Sequence, residues 1–210
     1  MRGVVFGIGS LLLVGCGSAP PPTALENRVF YQYDDLVAPG SRGKFERPYP
    51  PLDLAARPGS PEYIGVAVID SKVRISRPTD WILRRASLTT EQRFVEYVSP
   101  KGYAFTVYER TDSPEELWPE VLGRYEEDVK ASGIEVLGAR IPVASRDVQG
   151  RQYTLRKTIK GQRAPYRNIV REVLYRGDRR IVLVQVVLAG EVPVPLPDEL
   201  LRTMDTIEVR

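Results

Sequence analysis

The sequence predicts an α+β fold: an antiparallel β-sheet flanked by helices and preceded by an irregular, proline-rich tether. Three observations carry this prediction. From residue 63 onward, short runs rich in valine, isoleucine and tyrosine are wholly apolar or alternate with polar residues, which marks strands. Two segments, residues 113–132 and 197–205, space their apolar residues as helices do. Between residues 17 and 59, prolines interrupt every regular period. The expected organisation is a signal segment (1–15), a tether (16–60) and one globular domain (61–210).

At the start, Met1-Arg2 supplies a positive charge, and residues 4–14 are apolar or small throughout. That is the pattern of a secretory signal. The run is too short to cross a bilayer, which needs about 20 apolar residues. The sole cysteine of the chain, Cys16, follows Gly15 directly. Leu13-Val14-Gly15-Cys16 resembles the lipobox of bacterial lipoproteins: an aliphatic residue, two small or aliphatic residues, then cysteine. The resemblance implies a diacylglycerol thioether on Cys16, cleavage after Gly15 and a fatty acid, such as palmitate, on the new N-terminus. It also implies a place in the cell envelope. Gly17, standing where an aspartate would retain the protein in the inner membrane, is similar to signals that sort lipoproteins to the outer membrane, facing the periplasm. Each buried methylene contributes about 0.8 kcal/mol, so two or more acyl chains anchor stably where one would not.

The tether holds Pro20-Pro21-Pro22, Pro39-Gly40, Pro48, Pro50-Pro51 and Pro58-Gly59. Phe30, Tyr31, Tyr33, Leu36, Phe45 and Tyr49 make it apolar enough for part of it to dock on the domain. Residues 63–69 and 72–76 then read as strands, and Trp81, after a proline-containing turn, reads as core. Residues 93–99 and 103–109 form a hairpin across Ser99-Pro100-Lys101-Gly102, where proline suits the second turn position and glycine the fourth. Ser113-Pro114-Glu115-Glu116 has the makings of a capped helix start. Leu117, Val121, Tyr125 and Val129 continue it as one stripe, and Gly133 stops it. Pro119 is awkward inside this helix and predicts a separate or kinked first turn. Residues 134–144, broken by Gly138 and Pro142, read as a strand near a sheet edge. Longer strands follow at 151–160 and 167–176. Residues 181–188 are the most apolar strand, filled on both faces, and belong in the sheet centre with Gln185 as their one polar residue. A short helix, 197–205, closes the chain.

From Val73 to the C-terminus, the order of elements resembles the PsbP-like or Mog-like fold, which includes DcrB-like bacterial lipoproteins. The matching features are the Ile75-Ser76-Arg77-Pro78-Thr79-Asp80-Trp81 strand and turn, the acidic helix start at 113–117, the glycine turn at Gly150, and the last helix. This resemblance implies an α/β/α sandwich on an antiparallel sheet, with binding or assembly roles more than catalysis. It carries no functional residue onto this chain.

Composition narrows the function. With 42% hydrophobic and 27% charged residues, the chain is an ordinary globular one. A net charge of +3 gives no reason to expect nucleic acid. There is no histidine, which removes the commonest general base and zinc ligand, and a lipidated Cys16 would remove thiol chemistry. No catalytic residues, metal site or cofactor are therefore expected. The leading expectation is a non-catalytic envelope lipoprotein, joined to the membrane through Cys16, that binds an envelope protein or anionic polymer. The alternative is a lipid- or small-ligand-binding module with an apolar cavity between sheet and helix. Third is a carboxylate-dependent hydrolase using Asp34-Asp35 or the helix acids. Residues 146–180 hold eleven bases against Asp147, Glu172 and Asp178. Their expected centre is the 160–167 loop, with Gly161 and Pro165 keeping it out of the sheet. Lys160, Arg163 and Arg167 are thus the candidate contacts for an anionic partner.

Overall fold

The computed structural model describes residues 37–51, 59–145, 148–160, 165–188 and 195–210. In chain order its strands begin with β1 (Glu46–Tyr49), β2 (Tyr63–Val68), β3 (Val73–Pro78) and β4 (Ile82–Leu88). β5 (Arg93–Val98) and β6 (Ala104–Glu109) form the expected hairpin, with Gly102 N–H donating to the Ser99 carbonyl at 3.0 Å. Helix α1 (Trp118–Ala131) is followed by β7 (Glu135–Val136), β8 (Ile141–Ser145), β9 (Val148–Lys160), β10 (Pro165–Arg176) and β11 (Ile181–Leu188). A short helix, α2 (Asp198–Met204), and β12 (Glu208–Val209) complete the chain.

These strands make two antiparallel sheets, and this corrects the expected α/β/α sandwich. The small sheet has the order β1-β2-β3-β12. The large one runs β4-β5-β6-β11-β10-β9-β7, with β8 also on β9. One face of the large sheet is covered by α1, as expected. The other is covered mainly by the small sheet, where a helix layer was expected, and α2 is only an addition to that layer. Val66, Val68, Val73 and Ile75 of β2 and β3 pack with Val95, Phe105, Val107, Val173, Val184 and Val186 of the large sheet in one core. The cause lies in two short strands whose pattern is weak. β1, Glu-Arg-Pro-Tyr, contains proline, and β12 has two residues. They flank the β2–β3 hairpin on either side and turn it into a sheet of its own.

β1 lies in the stretch assigned to the tether. It is fastened by Glu46, whose two carboxylate oxygens accept from Arg77 Nη2 at 3.1 Å, while the Tyr97 hydroxyl donates to Oε2 at 2.7 Å. Arg77 and Tyr97 are buried. Burial, and then the Glu46 charge, hold the Tyr97 hydroxyl well above the ordinary tyrosine range. Gly65 permits the close pass of the chain here, since a Cβ on it would lie 2.2 Å from the Tyr49 carbonyl oxygen.

Helix α1 begins five residues later than the Ser113 signal. Ser113 N–H does bond Glu116 Oε1 at 2.9 Å, but the turn is separate from the helix. Pro119 explains this: it has no N–H and belongs in the first helical turn, which moves the start to Trp118. Leu117, outside the helix, is consequently 65% exposed, while Val121, Tyr125 and Val129 of the same stripe are buried. The helix ends at a positive-φ Gly133, with Gly133 N–H on the Lys130 carbonyl and Ile134 N–H on that of Val129. That double bond closes the last turn. β11 sits in the middle of the large sheet, as its apolar run predicted. Its even-numbered residues face the small sheet and its odd-numbered ones α1.

Candidate functional site: a polar rung under helix α1

On the α1 face, strand register aligns five polar side chains across five strands. Glu96 of β5 is paired with Thr106 of β6, Thr106 with Gln185 of β11, Gln185 with Glu172 of β10, and Glu172 with Tyr153 of β9. The next rung on one side of the same face is apolar, with Ala104, Val187, Val170 and Leu155. A carboxylate in such a layer is costly unless ionic and hydrogen-bonding partners surround it.

Glu172, 1% exposed, has those partners. The Gln185 amide donates to Oε1 at 2.6 Å, Lys157 Nζ forms an ion pair with the same oxygen, and the Tyr125 hydroxyl donates to Oε2. Burial and the Glu172 charge push the Tyr125 hydroxyl far above its usual range, so it stays a donor. Tyr153, tilted against Tyr125 at 4.8 Å between ring centroids, donates its hydroxyl to Glu126 at 3.1 Å. At the other end of the rung, Glu96 accepts from Arg84 at 3.1 Å and from Arg85 at 3.1 and 2.8 Å. A bulge between Leu83 and Arg85 makes this double grip possible: the extra residue lets two successive arginines reach one carboxylate.

Between α1 and the sheet a groove of about 420 Å³ opens onto this rung. Tyr108, Tyr125, Lys157, Glu172, Gln185 and Asp128 are among its walls. It is a groove with a charged floor, unlike the apolar cavity that a lipid-binding module would use. Asp112 lies near the start of α1. Burial opposes its ionisation, but bonds from Arg110 and from Arg124 (3.0 Å) outweigh this and hold its carboxyl below the ordinary range.

Of the residues singled out from sequence, Cys16, Arg163 and Asp34-Asp35 lie outside the described residues. Lys160 ends β9 and Arg167 lies within β10. Pro165 pairs with Lys160 as the first residue of β10, so Lys160 and residues 165–167 lie in strands where a loop was expected, and residues 161–164 lie outside the described residues. A strand can begin with proline because its first N–H need not be bonded. Of the other bases between residues 146 and 180, Arg156 pairs with Glu135 at 2.7 Å, Lys157 with Glu172, and Arg180, in the turn after β10, with Glu109, all acids of the sheet. The acids of α1 and of the turn before it are engaged separately, Glu116 by Arg124, Glu126 by Arg140 and Asp128 by Arg110 at 3.9 Å. Among the described residues, no three metal-ligating side chains cluster, and no helix is long and apolar enough to cross a membrane.

The rung itself was missed in the sequence, although its signal was present. Gln185 is the lone polar residue of the most apolar strand. A tight turn at Gly177-Asp178 pairs it with Glu172, itself an acid in an apolar run. No protein-family model matches the chain, and no curated protein matches it.

Proposed function

We propose that this chain is a lipid-anchored protein of the bacterial envelope that works as a non-catalytic binding module close to the membrane, on an outer membrane facing the periplasm. The observation that carries the reading is Leu13-Val14-Gly15-Cys16, which ends a short apolar run and contains the single cysteine. Two structural features support it. β1 fastens the chain to the domain thirty residues after that cysteine. The buried acids Glu96, Glu172 and Glu199 each lie within ion pairs, which suits a rigid scaffold better than proton transfer. The hairpin end bearing Lys160, Arg163 and Arg167 is the candidate contact for an anionic envelope partner. The test is metabolic labelling with a clickable fatty acid. Wild type should be labelled and cleaved, and Cys16→Ala should be neither. Equal labelling of the two would sink the anchor.

A further inference from the structure

We infer that the groove beside α1 is a saccharide site, in which the Tyr108 ring stacks on the C–H face of a sugar and Gln185, Asp128 and Ser132 bond its hydroxyls. The inference deepens the binding-module reading by naming a ligand class for it.

The charges select this class. The groove walls hold Glu109, Asp128 and Glu172 against Arg110 and Lys157, and both bases already contact acids. A phosphate or carboxylate ligand would meet net negative charge there. A lipid tail would have to strip water from the part-exposed Lys157 ammonium, the Gln185 amide and the Asp128 carboxylate without replacing its bonds, which is costly. An uncharged ring with hydroxyls on its edge and C–H groups on its faces meets neither objection. Tyr108 suits such a ring. It is half-buried and braced by Phe94, with ring centroids 5.5 Å apart, so its orientation is set before any ligand arrives. The groove also offers hydrogen-bonding groups at two depths. The Gln185 amide is at the floor, held by Glu172, and the Asp128 carboxylate, 72% exposed, is at the rim beside Ser132. Ser132, exposed, donates its hydroxyl to the Asp128 carbonyl at 2.8 Å, and its oxygen keeps its capacity to accept. A few placed polar groups around an apolar contact, in a volume of this order, are what a small-molecule site requires.

The test uses the whole chain in a zwitterionic detergent that carries no sugar. Saturation-transfer NMR is run with chitotetraose and maltotetraose, with inorganic phosphate and anionic vesicles as competitors. At millimolar sugar, transfer from protein aromatic protons to the ring C–H protons of at least one sugar is expected, undisturbed by the competitors. Tyr108→Ala should weaken that binding at least about tenfold, Tyr108→Phe should preserve it, and Asp128→Asn should weaken it a few-fold. Absence of transfer to both sugars, displacement by phosphate or vesicles, or wild-type binding by Tyr108→Ala would overturn the inference. If Tyr108→Ala does not fold, unchanged binding by Asp128→Asn and equal loss in Tyr108→Phe overturn it instead. Fatty-acid labelling of the same preparation separates the two readings: a labelled protein that binds no sugar refutes the groove alone, and an unlabelled one that binds sugar refutes the anchor alone.

Discussion

Toward the small sheet, β5, β6, β10 and β11 present Val95, Phe105, Val107, Val173, Val184 and Val186. Toward α1, the same strands present Glu96, Thr106, Glu172 and Gln185. Backbone and register are common to both faces, and only the alternation of side chains separates them. Apart from the Arg77–Glu46–Tyr97 group at β1, the first face is an apolar core in which each large side chain contributes about 1.5–3 kcal/mol by leaving water. The second spends part of its area on charges that must satisfy one another. Stability can therefore be concentrated on one face while the other remains available for recognition.

The sharpest test of this division compares two successive residues. Val184→Asp places an unpaired charge in the apolar core and should unfold the domain, giving no cooperative melt. Gln185→Leu, one residue on but on the opposite face, should leave a cooperative melt close to that of wild type, because Glu172 keeps Lys157 and Tyr125. Similar behaviour of the two variants would break the comparison.

Next in size is Glu172→Leu, which strands Lys157 and should cost about 3–5 kcal/mol in chemical denaturation. Adding Lys157→Met should restore most of that loss, since a buried ion pair and an apolar pair of similar volume are close in energy. A double variant as stable as wild type would show that the rung is not there for stability. A double variant no better than the single one would show that it is.

The smallest effect concerns acid. The carboxyl of Asp112 titrates lower in the folded chain than its ordinary value of 3.8. Its contribution is therefore present above about pH 4 and is lost as pH falls through the lower, folded value. Asp112→Asn should be less stable than wild type at neutral pH, and the gap should close below about pH 4. A gap that widens on acidification would contradict the assignment.

Much of this architecture was readable from the chain. The 93–109 hairpin, the buried Trp81, the stop at Gly133 and the central strand at 181–188 all follow from local chemistry, and all are present. What could not be read was pairing between distant segments. Alternation in 63–78 shows strands but not which sheet they join. β4 (Ile82–Leu88), with two arginines and a bulge, does not alternate at all. β1 and β12 are too short to have a period. The rung was half legible: turn geometry links Gln185 to Glu172, but nothing local brings Tyr125 and Lys157 to the same carboxylate.

The docking of β1 also has a mechanical consequence. If Cys16 carries the proposed lipid, a pull from the membrane reaches the described part of the domain first at Val37, whose N–H bonds the Arg84 carbonyl at 2.8 Å, and comes to β1 once that contact has given way. The bonds from β1 to β2 lie across the strand. A pull along β1 loads its four residue pairs together, in shear, with the Glu46–Arg77 pair as a pin. A pull at right angles opens them one at a time, from the Glu46 end. The same edge strand is thus a strong coupling in one direction and a zip in the other. The direction of the pull then sets the force at which β1 comes away.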